Sequence, residues 1–235
     1  MVLKGIQKLT LLDYPGRTAC TLFTGGCNFR CPFCHNASLV IREGGEDRAL
    51  DVSEVLSFLS KRKGLLDGVV VTGGEPLLHT DLADLLAAIR ELGYAIKLDT
   101  NGAYPARLAR VVEAGLVDYV AMDVKNAPER YGRTVGIPQL DLAPIRESVA
   151  FLLAGRVEFE FRTTVVRGLH FPGDFTAIGQ WIAGAPRYFL QGFRDSGDLI
   201  DKEGRVAVGA FSPEEMEAFR GEVLPYVPNA ALRGI

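Results

Sequence analysis

Three cysteines stand close together in Gly25-Gly26-Cys27-Asn28-Phe29-Arg30-Cys31-Pro32-Phe33-Cys34-His35-Asn36, at Cys-x3-Cys-x2-Cys spacing. Small and turn-forming residues between them let three thiolates converge on one inorganic centre, and thiolates suit iron-sulfur clusters and zinc. The count discriminates among these. A structural zinc site or an ordinary electron-transfer cluster takes four protein ligands, whereas a loop that supplies three leaves one metal position open to a small molecule. Cys20 is the only other cysteine. It lies in a predicted strand about half a dozen residues away, on the order of 20 Å along an extended chain, and is expected to be a small buried core residue. His35 would have to double back to share a metal with Cys34, so it is read as a hydrogen-bonding neighbour. A zinc knuckle and a disulfide pair are the competing readings of this loop.

The elements that must position this loop follow from hydrophobic periodicity. A strand over Arg17–Thr24 leads into it, and Glu43–Asp47 is a polar connection beyond it. Asp51 then opens a helix carrying Val52, Val55, Leu56 and Leu59 at i, i+3, i+4, i+7, with Glu54 placed for a capping box. Gly68-Val69-Val70-Val71-Thr72 is the short continuous apolar run expected of a strand buried on both faces. Helices are predicted from Asp81 to near Gly93, over Pro105–Glu113, from about Pro144 to Leu153, near Phe175–Ile182 and from Ser212, where a cap, a proline and acidic residues coincide. Strands are predicted at Ala95–Asp99, Tyr119–Asp123, Val157–Val166 and Arg187–Gln191. The segment Asn126–Gln139, with two prolines and two glycines, reads mostly as loop, and the tail Pro228–Ile235 as a short strand.

Six successive βα units specify right-handed crossovers and a parallel sheet, short of the eight that close a full barrel. The expected fold is α/β, a partial open (βα)6 TIM-like barrel in one domain over residues 1–235, with a doubly wound open sheet as the alternative. The conspicuous polar residues all fall at carboxyl ends of predicted strands, where such folds place their sites. These are the cysteine loop, Gly73-Gly74-Glu75, Asp99-Thr100-Asn101, and Asp123 with Lys125.

The cysteine spacing resembles the cluster loop of the radical S-adenosylmethionine (SAM) enzymes. The longer run from Asp13-Tyr14-Pro15-Gly16 through Cys34-His35-Asn36, with Gly73-Gly74-Glu75-Pro76, Asp99-Thr100-Asn101-Gly102 and Asp123-Val124-Lys125, resembles the glycyl-radical-enzyme activases, anaerobic ribonucleoside-triphosphate reductase activating proteins above all. That resemblance implies a [4Fe-4S] cluster on Cys27, Cys31 and Cys34, with SAM chelating the open iron. Reductive cleavage of SAM would give a 5′-deoxyadenosyl radical that abstracts hydrogen from a glycine of a partner glycyl radical enzyme. It also implies SAM binding by Gly73, Gly74 and Glu75, with Glu75 accepting from the cofactor's ammonium. Asp99, Thr100 and Asp123 would hold a monovalent cation beside the cofactor carboxylate, next to Asn101, and Lys125 would lie near cofactor and substrate. A low-potential donor such as flavodoxin or ferredoxin would supply the electron. Two departures bear on the partner: Tyr14 stands where many activases have glycine, and no histidine occurs around Gln191-Gly192-Phe193. The competing readings are a radical enzyme acting on a purine-like small molecule and a non-catalytic iron-sulfur electron-transfer module.

Composition narrows the classes further. The chain has 235 residues, a net charge of −3 and no Lys/Arg cluster, so the electrostatic footprint of a nucleic-acid binder is missing. No apolar run approaches the ~20 residues that span a bilayer, and the first residues are too polar for a signal peptide. A cytoplasmic protein is expected, in which clustered cysteines are metal ligands sooner than disulfides. His79 and His170 are expected at the surface or at helix starts. Arg162 could point into the barrel or form a core salt bridge.

Overall fold

The apolar run after Gly68 becomes a central strand because both of its faces are covered, by helices on one side and by the barrel interior on the other. In the computed structural model, residues 1–34, 36–40, 49–195, 197, 199–201, 203–204 and 206–235 are described. The expectations for His35 and for Glu43–Asp47 lie outside these residues. One eight-stranded sheet runs in sequence order: β1 (Leu3–Thr10), β2 (Ala19–Thr24), β3 (Gly68–Gly73), β4 (Ala95–Thr100), β5 (Tyr119–Asp123), β6 (Glu158–Val165), β7 (Tyr188–Gly192) and β8 (Ala230–Arg233). All neighbours from β2 to β8 are parallel, and β1 alone is antiparallel, against β2. The six expected parallel strands are all present, and the tail adds the seventh. β1 was not foreseen: Leu3-Lys4-Gly5-Ile6-Gln7-Lys8 has no clean alternation, as an edge strand with a register shift needs none.

β1 and β8 end the sheet without pairing to each other, so it stays open. It is nevertheless curved, because Gln7 of β1, Phe23 of β2, Arg162 of β6 and Gln191 of β7 line one cavity, which a flat sheet would forbid. The period-two alternation of a strand sorts its side chains between two environments. On the outer face Val69, Val71, Leu98, Val120, Met122, Phe159 and Phe161 join the main core. The one-turn α1 (Ala37–Val40) follows the cluster loop, and its Val40 lines the cavity, whereas packed against the outer face are the helices α2 (Val52–Ser60), α3 (Leu82–Glu91), α4 (Pro105–Glu113), α5 (Tyr131–Thr134), α6 (Ala143–Leu153), α7 (Asp174–Trp181) and α8 (Pro213–Val223). Leu82, Leu85, Leu86 and Ile89 of α3 are buried, as their spacing requires. Asp51 caps α2 by accepting from Ser53 N at 2.7 Å, and Ser212 and Glu215 close a full capping box on α8. The one-turn α5 is the helical part of the segment read mostly as loop.

The inner face is different in kind. Tyr14, Ala19, Val70 and Tyr119 form a small separate apolar cluster in the lower interior. Tyr14 packs against Tyr119 and leaves no room for a side chain on Gly68, whose Cβ would fall 2.9 Å from the Tyr14 ring. A glycine at position 14 would leave this space empty, so the tyrosine is a plug of the barrel floor. Among the described residues no helix is long and apolar enough to cross a membrane.

Candidate active site

A cavity of about 370 Å³ opens at the carboxyl ends of the parallel strands, within the size range of small-molecule sites. Cys27, Cys31 and Cys34 line it, together with Gly73, Gly74, Asp99, Thr100, Asn101, Asp123, Lys125 and Arg162. The structure therefore brings ten of the eleven residues singled out for a site, all but Glu75, to one mouth, and adds Arg162.

The cluster loop is set by backbone packing. Glu75 N donates to Gly26 O at 2.8 Å, Gly26 N to Leu39 O at 2.7 Å and Arg30 N to Val135 O at 2.9 Å. A Cβ on Gly74 would lie 1.9 Å from Gly26 O, and Gly73 has φ 128° with Thr24 backbone 2.3 Å from its would-be Cβ. Only glycine permits that contact and that conformation. The Gly-Gly pair was expected to admit a ligand; it lines the cavity and also seats the cluster loop. The ring of His79 bonds Gly25 O at 2.8 Å, so this histidine braces the same loop.

Glu75 departs from expectation. It is fully buried, does not line the cavity, and its carboxylate accepts from Leu77 N at 3.0 Å, Thr100 Oγ1 at 2.8 Å and Asn101 N at 2.7 Å. With three donors taken from within the chain, it joins the end of β3 to the end of β4 and is not open to a ligand's ammonium. Burial pushes its pKa up to about 7, against the pull of those hydrogen bonds.

Across the cavity, charge does the positioning. Lys97 and Asp99 are two apart on β4 and so share its inner face. Asp99 is bonded by Lys97 Nζ through Oδ1 and by Arg162 at 3.2 Å through Oδ2. Asp123 takes Arg162 Nε at 3.0 Å on Oδ1 and Lys125 Nζ at 2.9 Å on Oδ2. In place of the free carboxylates expected to hold a monovalent cation, each of these oxygens already faces a fixed positive group. Burial alone would raise the pKa of Asp123, but Lys125 and Arg162 bring it down to about 2. Burial likewise opposes the charge on Lys125, and Asp123 restores it, lifting its pKa. Three cations around two anions leave one positive charge in surplus, which suits an anionic group of a ligand.

Lys97 is the residue the sequence reasoning missed. Its signal was its place two residues before Asp99 in an otherwise apolar strand. His170, expected at the surface or at a helix start, lies just ahead of α7 and is wholly buried, with Nε2 3.0 Å from Lys125 O and Nδ1 accepting from Val166 N at 3.0 Å. Burial lowers its pKa, so it is a neutral strut behind Lys125. Arg162 satisfies both readings given to it, since its salt bridges form the cavity wall.

The donor set fits an iron-sulfur cluster with an open corner. Cys20 lies on the outer face of β2, in the core, away from the cavity. Among the described residues no three His, Cys, Asp or Glu side chains converge on one ion. The thiolates of a four-iron cluster each bind a separate iron, so they need not meet at one point. The model of the Radical SAM superfamily matches residues 21–171. The chain belongs to this superfamily. Its cofactors are therefore a [4Fe-4S] cluster and SAM, and it is an oxidoreductase of the radical SAM kind.

Relatives extend the match over the rest of the chain. A protein of Methanocaldococcus jannaschii, provisionally named a glycyl-radical enzyme activating enzyme, is 29% identical over 100% of this chain and 96% of its own length. A pyruvate formate-lyase-activating enzyme of Clostridium pasteurianum is 32% identical over 53% of this chain and 52% of its own. The radical SAM chain is also similar in fold to SuiB of Streptococcus suis, with a TM-score of 0.69 at 14% identity, over 90% of this chain and 48% of that one.

Proposed function

We propose that this radical SAM protein is a glycyl-radical-enzyme activase that removes a hydrogen atom from a glycine of a partner enzyme, anaerobic ribonucleotide reductase being the partner proposed. The observation that supports this reading most is the end-to-end match with the Methanocaldococcus activating enzyme, which leaves no large part of either chain unmatched. Cys27, Cys31 and Cys34 would hold three irons and leave the fourth to the amine and carboxylate of SAM. When bound, cluster and SAM supply a carbon radical able to abstract hydrogen, and the protein's share is to hold the reacting groups and exclude water.

That share can be read residue by residue. Gly73, Gly74, Thr100 and Asn101 offer the cavity a narrow backbone wall beside the thiols. Lys125 and Arg162, pinned by Asp123 and Asp99, present positive charge suited to the SAM carboxylate. Glu75 acts from behind, by fixing Thr100 and Asn101. The sheet's open edge between β1 and β8 gives a laterally accessible interior, which suits a loop of a macromolecule. A flavodoxin or ferredoxin is the proposed electron donor.

The test is anaerobic reconstitution with iron and sulfide, followed by electron paramagnetic resonance with and without SAM and an assay for 5′-deoxyadenosine. Mixing with an anaerobic ribonucleotide reductase should then yield a glycyl radical doublet on the partner. SAM cleavage without that doublet, but coupled to turnover of a purine-like molecule, would move the assignment to a small-molecule radical enzyme. A cluster signal indifferent to SAM would leave an electron-transfer module.

A further inference from the structure

Asn101 follows directly on β4, and its side chain faces the Cys27 thiol and not the charged wall. Its Nδ2 donates to Asn28 Oδ1 at 2.8 Å and to Cys27 Sγ at 3.7 Å. An amide nitrogen carries two hydrogens, so both bonds can form together. The orientation is locked: Asn101 Oδ1 accepts from Ala103 N at 3.0 Å, and a flipped amide would set its NH2 against that N–H and its oxygen against Asn28 Oδ1. The backbone is fixed as well, since Asn101 N donates to Glu75 Oε2 at 2.7 Å. Asn101 is 5% exposed, so its amide is largely shielded from solvent. Cys27 Sγ has one other donor among the described residues, Phe29 N at 3.4 Å, which no side-chain substitution can remove.

We infer that Asn101 tunes the reduction potential of the cluster by donating an N–H hydrogen bond to the Cys27 thiolate. A donor on a ligating sulfur withdraws electron density from the metal and stabilises the more negative, reduced cluster, which raises its potential. The buried Glu75 belongs to the same device, since it holds the Asn101 backbone from which the amide is aimed. The inference rests on the superfamily's cluster and not on the identity of the partner.

The experiment is an anaerobic redox titration of the reconstituted full-length protein, followed by electron paramagnetic resonance without SAM, with iron and sulfide content measured for each variant. Asn101→Ala should shift the midpoint to a more negative value. Asn101→Asp, of the same shape but with an anionic oxygen facing the sulfur, should shift it further in the same direction. A merely structural role predicts no such order. Unchanged midpoints at full cluster content, or a positive shift, would overturn the inference. A second measurement needs no variant at Asn101: wild-type protein labelled with 15N only in asparagine side-chain amides should show a weak 15N hyperfine coupling to the reduced cluster. That coupling should persist in Asn28→Ala, and its absence from the wild type would overturn the inference even if the variants fail to assemble. If the wild type takes up no iron and sulfide, the cluster assignment itself fails, a result distinct from an unmoved potential.

Discussion

At the cluster loop, backbone lies on backbone: Gly74 against Gly26, Gly136 against Arg30 O, Gly26 N on Leu39 O. On the other wall of the cavity, Asp99, Asp123, Lys125 and Arg162, with the buried Lys97 bonded to Asp99, hold one another through side-chain charge. The first region has no freedom to adjust, because a single added methyl meets a carbonyl oxygen. In the second, Asp99, Asp123 and Arg162 each have two partners, and losing one leaves the other. A centre that must be placed to a fraction of an ångström is thus built on shape. A pocket for a charged, exchangeable ligand is built on electrostatics.

The largest expected effect follows from the cysteines themselves. Cys31→Ala should abolish the [4Fe-4S] absorption after reconstitution and all SAM cleavage, while far-UV circular dichroism stays near wild type. Retention of a full cluster would mean that the thiol set has been misassigned. Next comes Gly74→Ala. With the new Cβ 1.9 Å from Gly26 O, the loop and the β3 turn must separate, at a cost of about 3 kcal/mol or more. Iron incorporation should fall along with stability in urea denaturation; an unaltered protein would show that this wall is softer than its backbone contacts imply.

On the charged side the losses should be graded. Arg162→Met removes the group shared by Asp99 and Asp123, and breaking such a buried pair typically costs about 3–5 kcal/mol. Here Lys97 and Lys125 remain on the two carboxylates, so the loss should fall at the low end of that range. SAM affinity in isothermal titration calorimetry should drop at least tenfold with the cluster intact. Equal damage to cluster content would erase the distinction between the two walls.

The smallest effect is in pH. Glu75 has its pKa raised to about 7 from 4.5, so between those values the folded state holds a proton that the unfolded state lacks. Stability should therefore fall as pH rises from about 4.5 to 7 and level off above. Asp123 acts in the opposite direction: its pKa is lowered to about 2 from 3.8, so its contribution is present above pH 3.8 and lost as pH falls toward 2. Urea denaturation followed by the fluorescence of Trp181 at pH 5 and pH 8 checks the first claim. Glu75→Gln should be less stable by about 1–3 kcal/mol, since an NH2 must face one of three fixed donors, and should lose the slope between those pH values. An unchanged slope in that variant would assign the titration to another group.

Much of this was legible in the chain. The Cys-x3-Cys-x2-Cys loop and the βα alternation rest on local spacing, which a linear reading captures. The limits of α4 and β5 match the sequence expectation residue for residue. Roles that depend on partners far along the chain were not legible. Glu75 looked like a ligand-facing carboxylate because its donors Thr100 and Asn101 lie some 25 residues on. The burial of His170 was not foreseen because its partner Lys125 is 45 residues away. β1 escaped because an edge strand at a register shift need not alternate.

The sequence by itself determined a three-thiol loop able to hold an inorganic centre with one open position, since that is a matter of residue type and spacing, while the cluster and SAM came through family resemblance. It also determined the succession of strands and helices, since periodicity is local. Only the tertiary structure decided which polar groups face the cavity and which are consumed within the protein. Strand parity puts Lys97 and Asp99 on the same inner face, but whether a carboxylate meets a ligand, a lysine or three backbone donors depends on sheet curvature and on contacts between β3, β4, β5 and β6. Those contacts are fixed by burial: a buried charge must find partners wherever the fold brings them, and the chain does not list them in order.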